Sequence, residues 1–306
     1  MLLFSIPVHE KPDVVLNQIQ NFKFYNPESI IILHVSAWMN KIDYRQLIKY
    51  VVSLKDVYIN DKRIWSGYAD GTQLKMHILN ILYARKLCLN YKFICFHASN
   101  DMFVRSGLGA FISKMCGCSA TDELTIDTVG YHTKACLNDK KLHEIMKRNS
   151  LFSIYKNQLE GSFYKRRIID IVVDRILDVG MDEVPGLYSH GLKRWSTRLV
   201  YWTVKGIKKA ISICKIIFVS FPGWDELGYE FYAKEESYFP TLSQDLIHRK
   251  GSVYCYVNWD ADLLITKEDV DKIRNKKWGN NYYAVKRVDR KIDDPLRQYI
   301  SNLPLQ

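Results

Sequence analysis

The chain is predicted to be an α/β protein with a mostly parallel central sheet flanked by helices. Short apolar runs recur at Leu2–Val8, Ser29–Val35, Val57–Ile59 and Lys92–His97, and stretches of helical spacing separate them. Ser29–Val35 (SIIILHV) and Lys92–His97 (KFICFH) are nearly continuous apolar runs, the pattern of strands buried on both faces. Repeated strand–helix alternation implies right-handed crossovers between parallel strands.

Each element has its own signal. Leu2–Val8 reads as the first strand. After Pro12, the residues Val15, Leu16, Ile19 and Phe22 share one helix face. Helical spacing returns over 44–52 with Leu47, Ile48, Val51 and Val52, and again over 72–89 with Leu74, Ile78, Ile81, Leu82 and Leu87. Residues 117–150 are weakly patterned and read as a loop with short helices. Residues 168–177 form a helix with Ile169, Val172, Val173 and Ile176 inward. Late in the chain, 252–259 and 281–289 read as strands and 267–274 as a helix.

At 306 residues and 47% apolar side chains, the chain can bury a large core. Its net charge of +11 favours an anionic partner: nucleic acid, a phosphorylated metabolite or an acidic membrane. The seven cysteines are scattered, and Cys116-Gly117-Cys118 lacks zinc-site spacing, so they read as reduced thiols in a cytoplasmic setting. The N-terminus has neither the basic lead nor the apolar length of a signal peptide, and no apolar run reaches the roughly 18 residues of a membrane span. From Gly191 to Trp224 there is no acidic residue, and Lys205, Lys208, Lys209 and Lys215 lie opposite an apolar face. Residues 193–218 are therefore a basic amphipathic helix, either an ordinary solvated surface or a peripheral contact with an anionic membrane.

Ligands of parallel sheets bind beyond the carboxyl ends of the strands. That rule selects His9 and Glu10, Ser36, residues 65–70 and Ser99-Asn100-Asp101. The last set is either a ligand site or an Asx-type turn. Glu160-Gly161-Ser162 offers close backbone approach to a ligand, or an ordinary turn. Glu235 and Glu236 precede an aromatic run where a helix would begin; its positive end favours their ionised forms, leaving either an acidic first turn or a general base. Walker, dinucleotide-binding, zincin and nucleophile-elbow motifs are absent. Asp260-Ala261-Asp262 matches a metal-binding Asp-x-Asp but follows a late strand and reads as a surface turn; no metal and no cofactor is expected.

Together these residues resemble the core-2/I-branching N-acetylglucosaminyltransferase and peptide O-xylosyltransferase family. Glu235-Glu236-Ser237-Tyr238-Phe239-Pro240-Thr241-Leu242 is similar to its late acidic-aromatic-Thr-Leu signature, and Tyr256-Val257-Asn258-Trp259 to its Tyr-Val-x-Trp. Tyr283-Ala284-Val285-Lys286-Arg287-Val288-Asp289 is similar to its closing segment, and His97-Ala98-Ser99-Asn100-Asp101 to its Ser-Gly-x-Asp turn. Three departures stand out: Glu235 where the family has Asp, the order Lys286-Arg287, and cysteines unlike those of secretory-pathway members. The last points to a bacterial or viral relative.

The resemblance implies a single GT-A-type domain over 1–306, with a nucleotide-sugar half at 1–115 and an acceptor and catalytic half at 116–306. It implies an inverting, metal-independent glycosyltransferase with Glu236 as base and Lys286 and Arg287 on the leaving diphosphate. His9, His34 and Ser36 would contact the nucleotide, and Asn100, Asp101, Glu160, Ser162 and Trp259 the sugar or acceptor. The partners would be a nucleotide sugar, with uridine diphosphate expected, and a glycan or lipid-linked acceptor, with no nucleic acid. The rival reading is a noncatalytic module using its basic face for nucleic acid or membrane.

Overall fold

The computed structural model describes residues 1–67, 71–118, 122–125, 127–128, 133–180, 203, 232–259 and 264–306. Its first half follows the predicted alternation: β1 (Leu2–Val8), α1 (Pro12–Tyr25), β2 (Ile30–Val35), α2 (Lys41–Val51), β3 (Val57–Ile59), α3 (Thr72–Lys86) and β4 (Phe93–Phe96). Helix α2 begins earlier than the apolar spacing alone indicates. The Asn40 side chain caps it by accepting the Asp43 N–H at 2.9 Å.

The chain continues through β5 (Asp101–Phe103), α4 (Leu108–Ile112), β6 (Gly117–Cys118), β7 (Asp122–Glu123), α5 (Thr133–Leu137), α6 (Lys140–Arg148), β8 (Tyr155–Lys156), β9 (Phe163–Lys165) and α7 (Arg166–Leu177). After the undescribed stretch come α8 (Glu235–Thr241), β10 (Lys250–Gly251), β11 (Cys255–Val257), α9 (Lys267–Arg274), β12 (Ala284–Lys286) and α10 (Pro295–Ser301).

The main sheet runs β10-β6-β9-β4-β1-β2-β3 and so draws strands from both halves of the chain. β4, β1, β2 and β3 are parallel, whereas β9 is antiparallel to both β4 and β6. The two predicted late strands shrink to β11 and β12. These pair with each other, and β12 also pairs with β5, in a separate three-stranded sheet instead of extending the main one.

Strand alternation sorts the core. Phe4, Ile6, Ile31 and Leu33 face Val15, Ile19, Phe22 and Leu47 of α1 and α2. Leu3, Ile30, Ile32 and Phe96 face Leu74, Ile78, Ile169, Val172 and Phe239 of α3, α7 and α8. Since α1 and α2 cover one face and α3 the other, the strand order reverses between β1 and β4. That topological switch point opens a crevice beyond their carboxyl ends.

The α3 face also holds a buried polar layer. Ser5 Oγ lies 2.8 Å from His77 Nδ1, Asn80 Nδ2 donates to Ser5 Oγ at 3.0 Å, and Asn60 Nδ2 donates to Asn80 Oδ1 at 3.0 Å. The six described cysteines are all free thiols, and among the described residues no helix is long and apolar enough to cross a membrane.

Candidate active site

The small sheet delivers the first charges to the crevice. In its antiparallel register Lys286 lies opposite Asp101, so β12 and β5 bring a lysine and a carboxylate together from 185 positions apart in the chain (286 less 101). Asp101 is fully buried. Its Oδ2 accepts the Ala98 N–H at 2.9 Å and lies 2.9 Å from His97 Nδ1, while His97 Nε2 lies 2.7 Å from the Tyr254 hydroxyl. The turn at 98–100 and the strand after it are thus knitted to the start of β11. Burial pushes the Asp101 carboxyl above its ordinary value, against the opposing pull of His97 and Lys286.

Lys286 Nζ is ion-paired to Glu160 Oε1. Burial works against both charges, but each partner's charge outweighs it: Glu160 is held below its ordinary pKa by Lys286, and Lys286 above its own by Glu160 and Asp101. Glu160 reaches this point because the next residue is Gly161. At φ +76°, Gly161 donates its N–H to Phe96 O at 2.9 Å and accepts from Tyr254 N at 3.1 Å; a Cβ there would stand 2.3 Å from Cys255 N. A glycine is required on both counts. Ser162 is buried beside it and accepts the Phe96 N–H through its backbone oxygen at 2.9 Å.

Glu236 enters on the first turn of α8. Its side chain keeps 18% of its exposure, its Oε2 lies 3.3 Å from Lys156 Nζ, and its backbone oxygen accepts the Asn157 N–H at 2.8 Å. Burial raises its pKa, Glu160's negative charge adds to the rise, and Lys156 and Lys286 oppose it. This corrects the expectation that the helix start would favour the ionised form: in this short helix, desolvation wins.

A buried hub holds that helix in position. One Asp139 oxygen accepts from Lys234 Nζ at 2.5 Å, Tyr232 OH at 2.8 Å and Tyr238 OH at 3.0 Å, while its other oxygen caps α6 through Lys141 N at 3.0 Å and Leu142 N at 3.1 Å. Phe239 of α8 stacks on Phe96 of β4 with centroids 4.6 Å apart.

At the crevice itself, Glu10 accepts from Ser99 Oγ at 2.5 Å, from Arg290 Nε at 2.9 Å and from His9 N at 3.0 Å. His9 is exposed at this rim, and Val288 N donates to Asn100 O at 3.0 Å. Arg287 lies with its guanidinium carbon 5.9 Å from the exposed Trp259 ring centre.

The structure therefore gathers Glu236, Glu160, Lys286 and Asp101, with Asn100, Ser162 and His9 around them and Arg287 beside Trp259. It does not gather His34 and Ser36. His34 is 0% exposed on the α3 side of β2, and the Ser36 hydroxyl is buried 2.9 Å from Ser66 Oγ. Lys156, Asp139, His97 and Tyr254 were missed as site-shaping residues, since nothing local marks a residue whose partner lies elsewhere in the chain. Asp139 alone carried a signal, as an acidic N-cap before a helical run. The basic stretch 193–218, apart from Thr203, and Asp260-Ala261-Asp262 lie outside the described residues.

No family model matches the chain, and no curated protein is similar to it. Among solved structures the chain is loosely similar to several, three of which are given below. One is S. aureus TarS, at 10% identity and a TM-score of 0.34, over 60% of this chain and 51% of that one, about half its length. Another is an active-site mutant of LgtC, at 8% identity and a TM-score of 0.39, over 98% of this chain and 94% of that one. A third is the galactosyltransferase LgtC with donor and acceptor sugar analogues, at 9% identity and a TM-score of 0.29, over 58% and 64%.

Proposed function

We propose that the chain is an inverting, metal-independent glycosyltransferase that moves a sugar from a nucleotide sugar, with uridine diphosphate as leaving group, to a hydroxyl of a glycan or lipid-linked acceptor. One observation carries the reading: Glu236, its pKa raised by burial, shares a crevice-edge cluster with the Lys286–Glu160 ion pair. An acid poised closer to neutrality than an ordinary carboxylate, beside a fixed cation, matches a general base facing a site where negative charge develops.

In this reading Glu236 takes the proton from the acceptor hydroxyl as its oxygen attacks the anomeric carbon. The bond from that carbon to the diphosphate oxygen breaks with inversion, and the electron pair leaves on the diphosphate. Arg287 and Lys286 face that charge, with Lys286 oriented by Glu160; charge-assisted hydrogen bonds of this kind are the strong ones. Asn100, Asp101 and Ser162 shape the sugar side, and Trp259 offers the acceptor an aromatic surface.

The test is Glu236→Gln assayed with a panel of nucleotide sugars. Transfer should be abolished while nucleotide binding and melting temperature stay unchanged, and a strong chelator should leave the parent's activity intact. Undiminished turnover in the variant would sink the assignment. A strict need for a divalent cation would instead bring Asp260 and Asp262 back as metal ligands.

A further inference from the structure

The loops after β2 and β3 hold two exposed indoles that the catalytic cluster does not use. Trp38 is 60% exposed and Trp65 43%, and their rings form a wedge with centroids 6.5 Å apart and planes inclined at 57°. Isolated exposed aromatics are ordinary surface features, but this pair is built into place. Trp38 Nε1 donates to Ser66 O at 2.7 Å, Ala37 N donates to Ile64 O at 2.8 Å, and the Ser36 and Ser66 hydroxyls are joined at 2.9 Å. Arg63 braces the turn from beneath. It donates to Ser36 O and Met39 O at 2.7 Å each and stacks 4.0 Å over the Tyr44 ring.

The wedge is also continuous with the crevice. Ser36 N donates to Val8 O at 2.9 Å, and the residues after Val8 are His9 and Glu10, which lead through Ser99 to Asn100 and Asp101. Counting strands from the β2/β3 gap to the β1/β4 crevice gives two strand spacings, about 10 Å. That is the reach of a nucleoside diphosphate from base to phosphates. A single sugar ring is too short to bridge wedge and crevice.

We propose that Trp38 and Trp65 seat the heteroaromatic base of a nucleoside diphosphate whose phosphates lie in the β1/β4 crevice. The inference rests on the nucleotide-sugar reading and adds to it the residues that hold the base. A π-face seat is tolerant of base identity, so choice among bases falls to polar groups at its rim.

Calorimetric titration of the parent and of a Trp38→Leu/Trp65→Leu double variant with uridine diphosphate and with inorganic pyrophosphate tests it. The double variant should bind uridine diphosphate about ten- to hundredfold more weakly, in line with loss of base stacking, and pyrophosphate with unchanged affinity. Unchanged uridine diphosphate affinity overturns the inference. So does displacement of uridine diphosphate from the parent by N-acetylglucosamine with loss of that displacement in the variant, which would make the wedge a sugar seat. Trp65→Leu alone keeps the Trp38–Ser66 bond and decides the matter if the double variant does not fold. A parent that binds no nucleoside diphosphate sinks the functional reading itself; a double variant that binds it normally sinks only the wedge.

Discussion

Two buried histidines make the fold sensitive to acid, and the size of the effect can be worked out. His34 is sealed against α3, both ring nitrogens lack a hydrogen-bond partner among the described residues, and burial with the nearby Arg63 charge pushes its pKa down to about 3. His77 is likewise pushed to about 3, by burial first and then by His34 and His97. Unfolded, each would titrate near 6.5. Below that value the unfolded chain binds more protons than the folded one, so stability falls as pH falls and levels off only below about 3.

At pH 5 the imbalance is about 1.5 pH units per histidine, or about 2 kcal/mol each at 1.36 kcal/mol per unit. Together they remove about 4 kcal/mol, a large share of the 5–15 kcal/mol typical of a folded domain. His34→Leu removes one of the two groups and replaces an unsatisfied polar ring with an apolar side chain, a change that is near neutral at pH 7.5. Urea unfolding of parent and variant at pH 7.5 and pH 5, followed by circular dichroism, isolates the term, because every other titrating group is common to both. The variant should lose about 2 kcal/mol less than the parent between the two pH values. Equal losses, within about 0.5 kcal/mol, would refute the reasoning.

Other outcomes follow from the same structure. Lys234→Met leaves Asp139 as a buried charge without its ammonium and should cost about 3–5 kcal/mol, read as a fall in urea midpoint; Lys234→Met with Asp139→Asn should recover part of it. Gly161→Ala combines a positive φ with a 2.3 Å approach to Cys255 N, so it should destabilise by well over about 1 kcal/mol and disturb Glu160 along with the fold, measurable as a lowered melting temperature. With Glu236 as base, turnover should fall on the acid side through a pKa above the ordinary glutamate value, because protonation silences the base. Removing the neighbouring negative charge with Glu160→Gln should move that limb downward in a pH–rate profile. A limb at or below the ordinary glutamate value in the parent would contradict the burial of Glu236.

Much of the fold was legible because its signals are local. Ile30–Val35 is apolar at nearly every position and became a strand buried throughout, and the spacing of Val15, Ile19 and Phe22 became the inner face of α1. What misled were segments whose partners are remote. The 252–259 and 281–289 stretches read as full strands, yet only Cys255–Val257 and Ala284–Lys286 pair: Ala284–Lys286 lies between Cys255–Val257 and the three-residue β5, and the register across this small sheet is not encoded in either stretch. The same applies to Phe163–Lys165, whose antiparallel place beside β4 has no sequence signature.

The sequence by itself determined the alternating α/β plan, the helix that begins at Glu235 and the position of Glu236 on its first turn, all through periodicity and capping that act within a few residues. Only the tertiary structure decided which charges meet. Register across the small sheet put Lys286 opposite Asp101, a glycine too close to Cys255 for any Cβ put Glu160 against Lys286, and burial at that junction reversed the expected effect of the helix start on Glu236. Pairing and desolvation depend on what lies across space, and spacing along the chain does not encode that.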